Sequence, residues 1–206
     1  MRRTRLARLG GVAAVAAIAV SGWLAPAWGQ TARPAAADGM SPATATSLAG
    51  QLAAARQATA KYATNLGRAK ADGYFIITKM MPNMGYHFLN PNISGFSVTK
   101  PPILVYEHRG STWQLGALEW VFTSMPKSVP LPNATFGSFP AACHYADGTF
   151  IPDKTAATCP KTAPVSHAKF TFWHPDLITM HVWIWYPNPA GLYSSTNPDV
   201  APFNKG

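Results

Sequence analysis

The stretch that decides the fold runs from Leu48 to Thr78: LAGQLAAARQATAKYATNLGRAKADGYFIIT. Its first part repeats at helical spacing. Leu48, Leu52, Ala55, Thr59, Tyr62, Leu66 and Ala69 recur at alternating steps of four and three, which puts them on one face of an α-helix. Gln51, Arg56, Gln57, Lys61, Asn65 and Arg68 lie off that face. Thr59 is the one polar member, and its hydroxyl can bond back to a carbonyl one turn earlier. Asp72-Gly73 ends the run, with Gly73 suited to the left-handed position after a helix. The stripe is short and diluted by alanine and threonine, so it predicts packing against a sheet of the same chain rather than a coiled-coil seam.

After Gly73 the period changes. Tyr74 to Thr78 is strand-like, and Pro101–His108 and Thr112–Thr123 are apolar runs around Arg109-Gly110-Ser111, a hairpin pattern. Residues 124–136 carry three prolines and read as loop. Ala146-Asp147-Gly148 is a turn signal before Thr149-Phe150-Ile151. Lys169–His174 and Leu177–Tyr186 form a second pair of strands around Pro175-Asp176, and the Pro- and Asn-rich tail from Pro187 wraps the surface. One helix followed by about six short strands predicts an α+β fold: an N-terminal amphipathic helix packed on an antiparallel β-sheet curled into a roll or small barrel.

Upstream of this domain the chain changes character. Arg2, Arg3, Arg5 and Arg8 precede a small-apolar run from Gly10 to Val20, and Ala27-Trp28-Gly29 offers small residues at a cleavage site. Residues 1–29 therefore read as a secretory signal peptide, with an uncleaved anchor as the competing reading. Arg2-Arg3 is a weak hint of twin-arginine export. Residues 30–46, mostly Ala, Thr, Pro, Gly and Ser, read as a disordered linker, leaving 47–206 as a single α+β domain. The expected location is secreted, periplasmic or cell-envelope, with no stable membrane span after processing.

Removal of residues 1–29 takes four arginines and no acid, lowering the net charge from +9 to +5. No Lys/Arg stripe remains, which argues against nucleic acid as a partner. Cys143 and Cys159 are the two cysteines, and in an exported chain they predict a disulfide. Closing a loop of about 15 residues is worth about 3 kcal/mol in the chain-entropy view. Two glycosylation sequons, at Asn92 and Asn133, are short enough to arise by chance.

Motifs for nucleotide cofactors, phosphate loops, nucleophile elbows and zinc-protease helices are all missing from the sequence. Most acids sit at turns or in the linker, and only Glu107 and Glu119 lie inside strand-like segments. A carboxylate in an apolar strand needs a partner or a shifted pKa. For Glu119, on a face with Leu115, Ala117 and Val121, that partner is a cation, a histidine or a metal; a structural hydrogen bond is the competing reading. His181 shares a face with Trp183 and Trp185, and His87 follows Gly85 in a short apolar segment that Asn90-Pro91 turns away. Two histidines and one carboxylate, His87, Glu119 and His181, make a common ligand set for zinc or another first-row divalent metal, with His174 as a candidate fourth ligand. Met81, Met84 and Met180 would favour copper, but filling gaps in a core explains them more simply.

ADGY at 71–74, NMGYHFLNP at 83–91, LVYE at 104–107, LGALEW at 115–120 and LITMHVWIWYPNPAGLYSSTNP at 177–198 occur in this order. The pattern resembles a family of uncharacterised exported bacterial proteins with ADGY, GMGxHxxNP and HxWxWxxNPxGxFxxxNP motifs, over most of residues 60–200. Asn83-Met84-Gly85 and Tyr193 depart slightly from that pattern. The resemblance implies the same architecture and nominates His87, Glu119 and His181; it implies no reaction. The leading expectation is thus an exported protein with a metal or small-ligand site, whether or not it is an enzyme. The alternative is a binding module in which Trp120, Trp183, Trp185 and Tyr186 line a pocket for an apolar or sugar ligand. A structural domain with a satisfied polar core is the third reading.

Overall fold

The computed structural model describes residues 39–204. The expected signal peptide, and the linker as far as residue 38, lie outside the described residues. Helix α1 spans Pro42–Thr59, so the helix starts within the segment read as linker. Ser41 caps it, accepting from the Thr44 N–H, and Pro42 occupies the first turn, where its missing N–H is no loss. Thr59 bonds back to the Ala55 carbonyl at 2.8 Å, as its place in the stripe predicts.

The stripe from Leu48 to Ala69 is not one uninterrupted helix. A 3₁₀ turn, Ala60–Tyr62, follows α1, and a short helix α2 spans Leu66–Ala71. The sheet causes the break. Two carbonyls at the break bond to the sheet: Ala63 O accepts from the Leu115 N–H at 2.7 Å, and Tyr62 O from the Tyr106 hydroxyl at 2.8 Å besides the local Asn65 N–H at 3.2 Å. Asn65 then restarts the helix by capping the Arg68 N–H. The apolar face survives this: Leu48, Ala55, Thr59, Tyr62, Leu66 and Ala69 are all buried. Gly73 has φ +100 and the chain turns into the sheet there.

Nine strands follow: β1 Phe75–Met81, β2 Gly85–Leu89, β3 Ile103–Arg109, β4 Thr112–Phe122, β5 Gly137–Phe139, β6 Ala142–Tyr145, β7 Phe150–Pro152, β8 Phe170–His174 and β9 Leu177–Val182. They form a six-stranded sheet, β1-β2-β3-β4-β9-β5, and a three-stranded sheet, β7-β6-β8. Every pairing is antiparallel. The larger sheet curls into a half-barrel, giving the α+β architecture that the sequence predicts. Strands β2, β5 and β6 are short, and no long periodic run announces them.

Period-two alternation sorts the large sheet's side chains into two layers. Phe88, Leu104, Tyr106, Leu118, Trp120, Met180 and Val182 join the helix residues in one core. Ile103, Val105 and Ala117 point the other way and pack with Trp183 and with Val200 from the C-terminal 3₁₀ turn, Pro198–Phe203. Leu115 belongs to the helix side instead of sharing a face with Glu119, because the β3–β4 register shifts between Val105 and Tyr106. The tail does not merely wrap the surface: it buries Tyr193, Asn197 and Val200.

The small sheet is tied to strand β1. The Lys79 N–H donates to Gly148 O at 2.9 Å, and His144 Nδ1–H donates to Ile77 O at 2.8 Å. The Cys143–Cys159 disulfide joins β6 to the short 3₁₀ turn Ala156–Thr158, as the cysteine count predicts. Among the described residues no helix is long and apolar enough to cross a membrane.

Candidate metal centre

His87 faces away from the helix because its neighbours face it. Tyr86 and Phe88 pack in the helix-side core, so alternation sends His87 to the other side. Gly85, at φ +106, lets β2 begin against β3: a Cβ there would lie 2.6 Å from Tyr106 O. Asn90 anchors the other end, its Nδ2 donating to Asp72 O and its Oδ1 accepting from the Asn92 N–H.

Glu119 and His181 sit directly opposite each other in the β4–β9 register, and Glu119 is opposite Ile103 on its other side. His87 lies one step away, opposite Val105, which faces Ala117. Strands β2 and β9 are three apart, about 14 Å along a flat sheet. Yet the His87 and His181 rings are 6.1 Å apart between centroids. The curl of the sheet and the short side chains of Val105 and Ala117 let the rings lean together. One ligand atom from each of His87, Glu119 and His181 lies within 4.8 Å of the other two, and all three residues are buried.

His87 Nε2 is 3.5 Å from Glu119 Oε2. This is not an ion pair. Burial pushes the Glu119 carboxyl up to about 8 and the His87 imidazole down to about 4, so desolvation outweighs their attraction and both are neutral near pH 7. His181 is lowered to about 3, by burial first and by His87 second. Thr78 Oγ1 is 2.7 Å from His87 Nδ1 and also accepts the His87 N–H at 3.2 Å. With Nδ1–H donating to that hydroxyl, Nε2 offers its lone pair to the centre of the group.

The donor set fits a first-row divalent ion. Tetrahedral ligands about 2.0–2.2 Å from an ion lie about 3.3–3.6 Å from each other, the separation His87 Nε2 and Glu119 Oε2 already show. The three ligand atoms all lie within 4.8 Å of one another, so closing the set takes a shift of about 1 Å. Among the described residues neither ring nitrogen of His181 has a hydrogen-bond partner. Leaving such a buried group unpaired costs about 1–3 kcal/mol, which a bound ion would remove.

A cavity of about 400 Å³ opens between the two sheets. His87 and Glu119 line it, with apolar walls that include Ile77, Leu89, Phe139 and Phe172. His174, expected as a fourth ligand, also lines it but lies outside the three-residue group. It ends β8 in the small sheet, its ring 5.0 Å from that of His144, and its Nδ1–H donates to Pro175 O.

None of the tryptophans expected around a ligand pocket is among the residues that line this cavity. Trp120 neighbours Glu119 in the same strand, so alternation sends it to the helix side, where it bonds Ser97 O. Strand β9 stops at Val182, so the shared face does not reach Trp185, whose indole N–H meets Thr59 Oγ1 beneath the Arg56 guanidinium. Trp183 stays beside His181, 4.9 Å between ring centroids, but is fixed by Ser194 O. Tyr186 packs on Phe203.

Two further buried groups escaped nomination. Glu107 is fully buried, neither of its oxygens has a hydrogen-bond partner among the described residues, and burial raises it to about 7. Its place in an apolar strand was its signal. His144 is buried in β6 between Cys143 and Tyr145, which point to a different apolar cluster; alternation about the disulfide cysteine was the only clue. In comparisons with protein-family models, curated proteins and solved structures, nothing matches the chain.

Proposed function

We propose that this is an exported metal-binding protein in which His87, Glu119 and His181 hold one first-row divalent ion, zinc first, facing a cavity for a small apolar ligand. The observation that carries the reading is a buried pair of imidazoles and a carboxyl converging within 4.8 Å, with both His181 ring nitrogens unpartnered among the described residues. Three protein ligands leave a coordination position open, the arrangement of sites that bind or activate a ligand rather than only brace a fold. Bound there, the ion would polarise a ligand oxygen or lower the pKa of a water. The ADGY, NMGYHFLNP and HVWIW motifs are on this reading the parts that build the site, in keeping with the exported family they resemble.

Export is supported by the arginine-led apolar N-terminus and by the Cys143–Cys159 disulfide, a bond that oxidising compartments sustain. Two measurements test the proposal. Protein recovered from the medium or envelope fraction should have an intact mass lacking residues 1–29. After dialysis against zinc it should hold one equivalent more than either Glu119→Gln or His181→Ala holds, while the fold of both variants persists. Zinc content unchanged in both variants would overturn the metal reading.

A further inference from the structure

The wall opposite the proposed centre carries its own unpaired histidines. His144, in β6, and His174, in β8, both line the cavity. In the β6–β8 register Ala142 faces His174 and His144 faces Phe172, so the two histidines are diagonal neighbours on one face. Their ring centroids are 5.0 Å apart, and their relative exposures are 1% and 8%.

Each ring is held in one tautomer. His144 Nδ1–H donates to Ile77 O at 2.8 Å, and His174 Nδ1–H donates to Pro175 O at 2.6 Å. Each Nε2 therefore carries a lone pair, and among the described residues neither has a partner. His144 is also clamped flat on Phe172, with centroids 4.6 Å apart and planes 1° from parallel. A carbonyl on Nδ1–H and a free Nε2 is the arrangement that orients metal-ligating histidines and raises their basicity. Two such groups, pre-oriented in a cavity with largely apolar walls, call for a Lewis acid.

We infer that His144 and His174 form a second cation site across the cavity from the first, binding a divalent first-row ion through their two Nε2 atoms. Exogenous ligands complete its coordination. Copper(II) is the ion of highest affinity for such a bis-imidazole pair by the Irving–Williams order. This site shares no residue with the His87–Glu119–His181 group and stands or falls separately.

Copper(II) is the probe that separates the two. It is titrated into the metal-free, disulfide-bonded protein, with bound metal counted after gel filtration. Three variants accompany the wild type: His144→Phe, which keeps the stack on Phe172; His174→Gln; and His181→Ala, which leaves the first group a single imidazole. Circular dichroism and melting confirm that each is folded, and the two second-site variants back each other up if one fails. The wild type should bind two equivalents, and each of the three variants one. Two equivalents retained in whichever of His144→Phe and His174→Gln is folded would overturn the second site and leave the first intact. One equivalent in the wild type, lost in the second-site variants but not in His181→Ala, would uphold the second site and overturn the first. One equivalent lost only in His181→Ala would overturn the second, and no bound copper would overturn both.

Discussion

At the scale of single residues, Gly85 sets how closely β2 approaches β3. With φ +106 and Tyr106 O 2.6 Å from where a Cβ would sit, Gly85→Ala strains the backbone and pushes the strands apart. It should lower stability by about 1–3 kcal/mol in urea unfolding and weaken zinc binding, because His87 lies two residues on. Glu119 shows a different kind of constraint. Its carboxyl is raised to about 8, so zinc must displace a proton from it near neutral pH. Zinc affinity should therefore climb with pH up to about 8, and calorimetry in buffers of different ionisation enthalpy should show proton release. In Glu119→Gln that proton release disappears. Both residues could be nominated from sequence, since a glycine before a histidine and a carboxylate in an apolar strand are local signals. His144 was not, because what marks it is an unpaired nitrogen created by tertiary packing.

Among the elements, the helix face was the most legible feature. The seven-residue stripe specified which side would be buried, and it is buried, but two carbonyls taken by the sheet interrupt the helix between Tyr62 and Leu66. Such a break depends on partners remote in sequence, and periodicity carries no trace of it. Tyr62 sits at the junction, packed edge-on to Tyr74 with its hydroxyl on Asp72 Oδ2. Tyr62→Asp places a second carboxylate beside Asp72 on a buried face and should destabilise the domain by about 1–3 kcal/mol; an unchanged melting temperature would make the helix peripheral. The placement of the tryptophans depends on tertiary context in a comparable way. Alternation is reliable only while a strand lasts, and the end of β9 at Val182 is set by the Trp185 and Tyr186 N–H groups turning to Gly116 O.

For the whole molecule, the buried titratable groups predict how stability without metal depends on pH. Burial holds His87 and His144 at about 4 and His181 at about 3, against an ordinary 6.5. Unfolding lets them take up protons, so stability rises with pH through this range and levels off near 6.5. Burial raises Glu107 to about 7 and Glu119 to about 8, from an ordinary 4.5. Unfolding lets them release protons, so their contribution falls as pH rises from 4.5 to 8. Three histidines outweigh two carboxylates below 6.5, and only the carboxylates act above it. Urea midpoints measured in EDTA should peak near pH 6.5, and zinc should flatten the alkaline decline by taking the place of the Glu119 proton.

The link between the two sheets has another consequence at this scale. Strand β1 is an edge of the six-stranded sheet, and free edge strands recruit other chains. Here the outward N–H of Lys79 and the outward carbonyl of Ile77 are already bonded to Gly148 and His144. The roof of the cavity is thus also a guard against aggregation, and loosening it, as reduction of Cys143–Cys159 would, should open a sticky strand to neighbouring molecules before the helix-side core gives way.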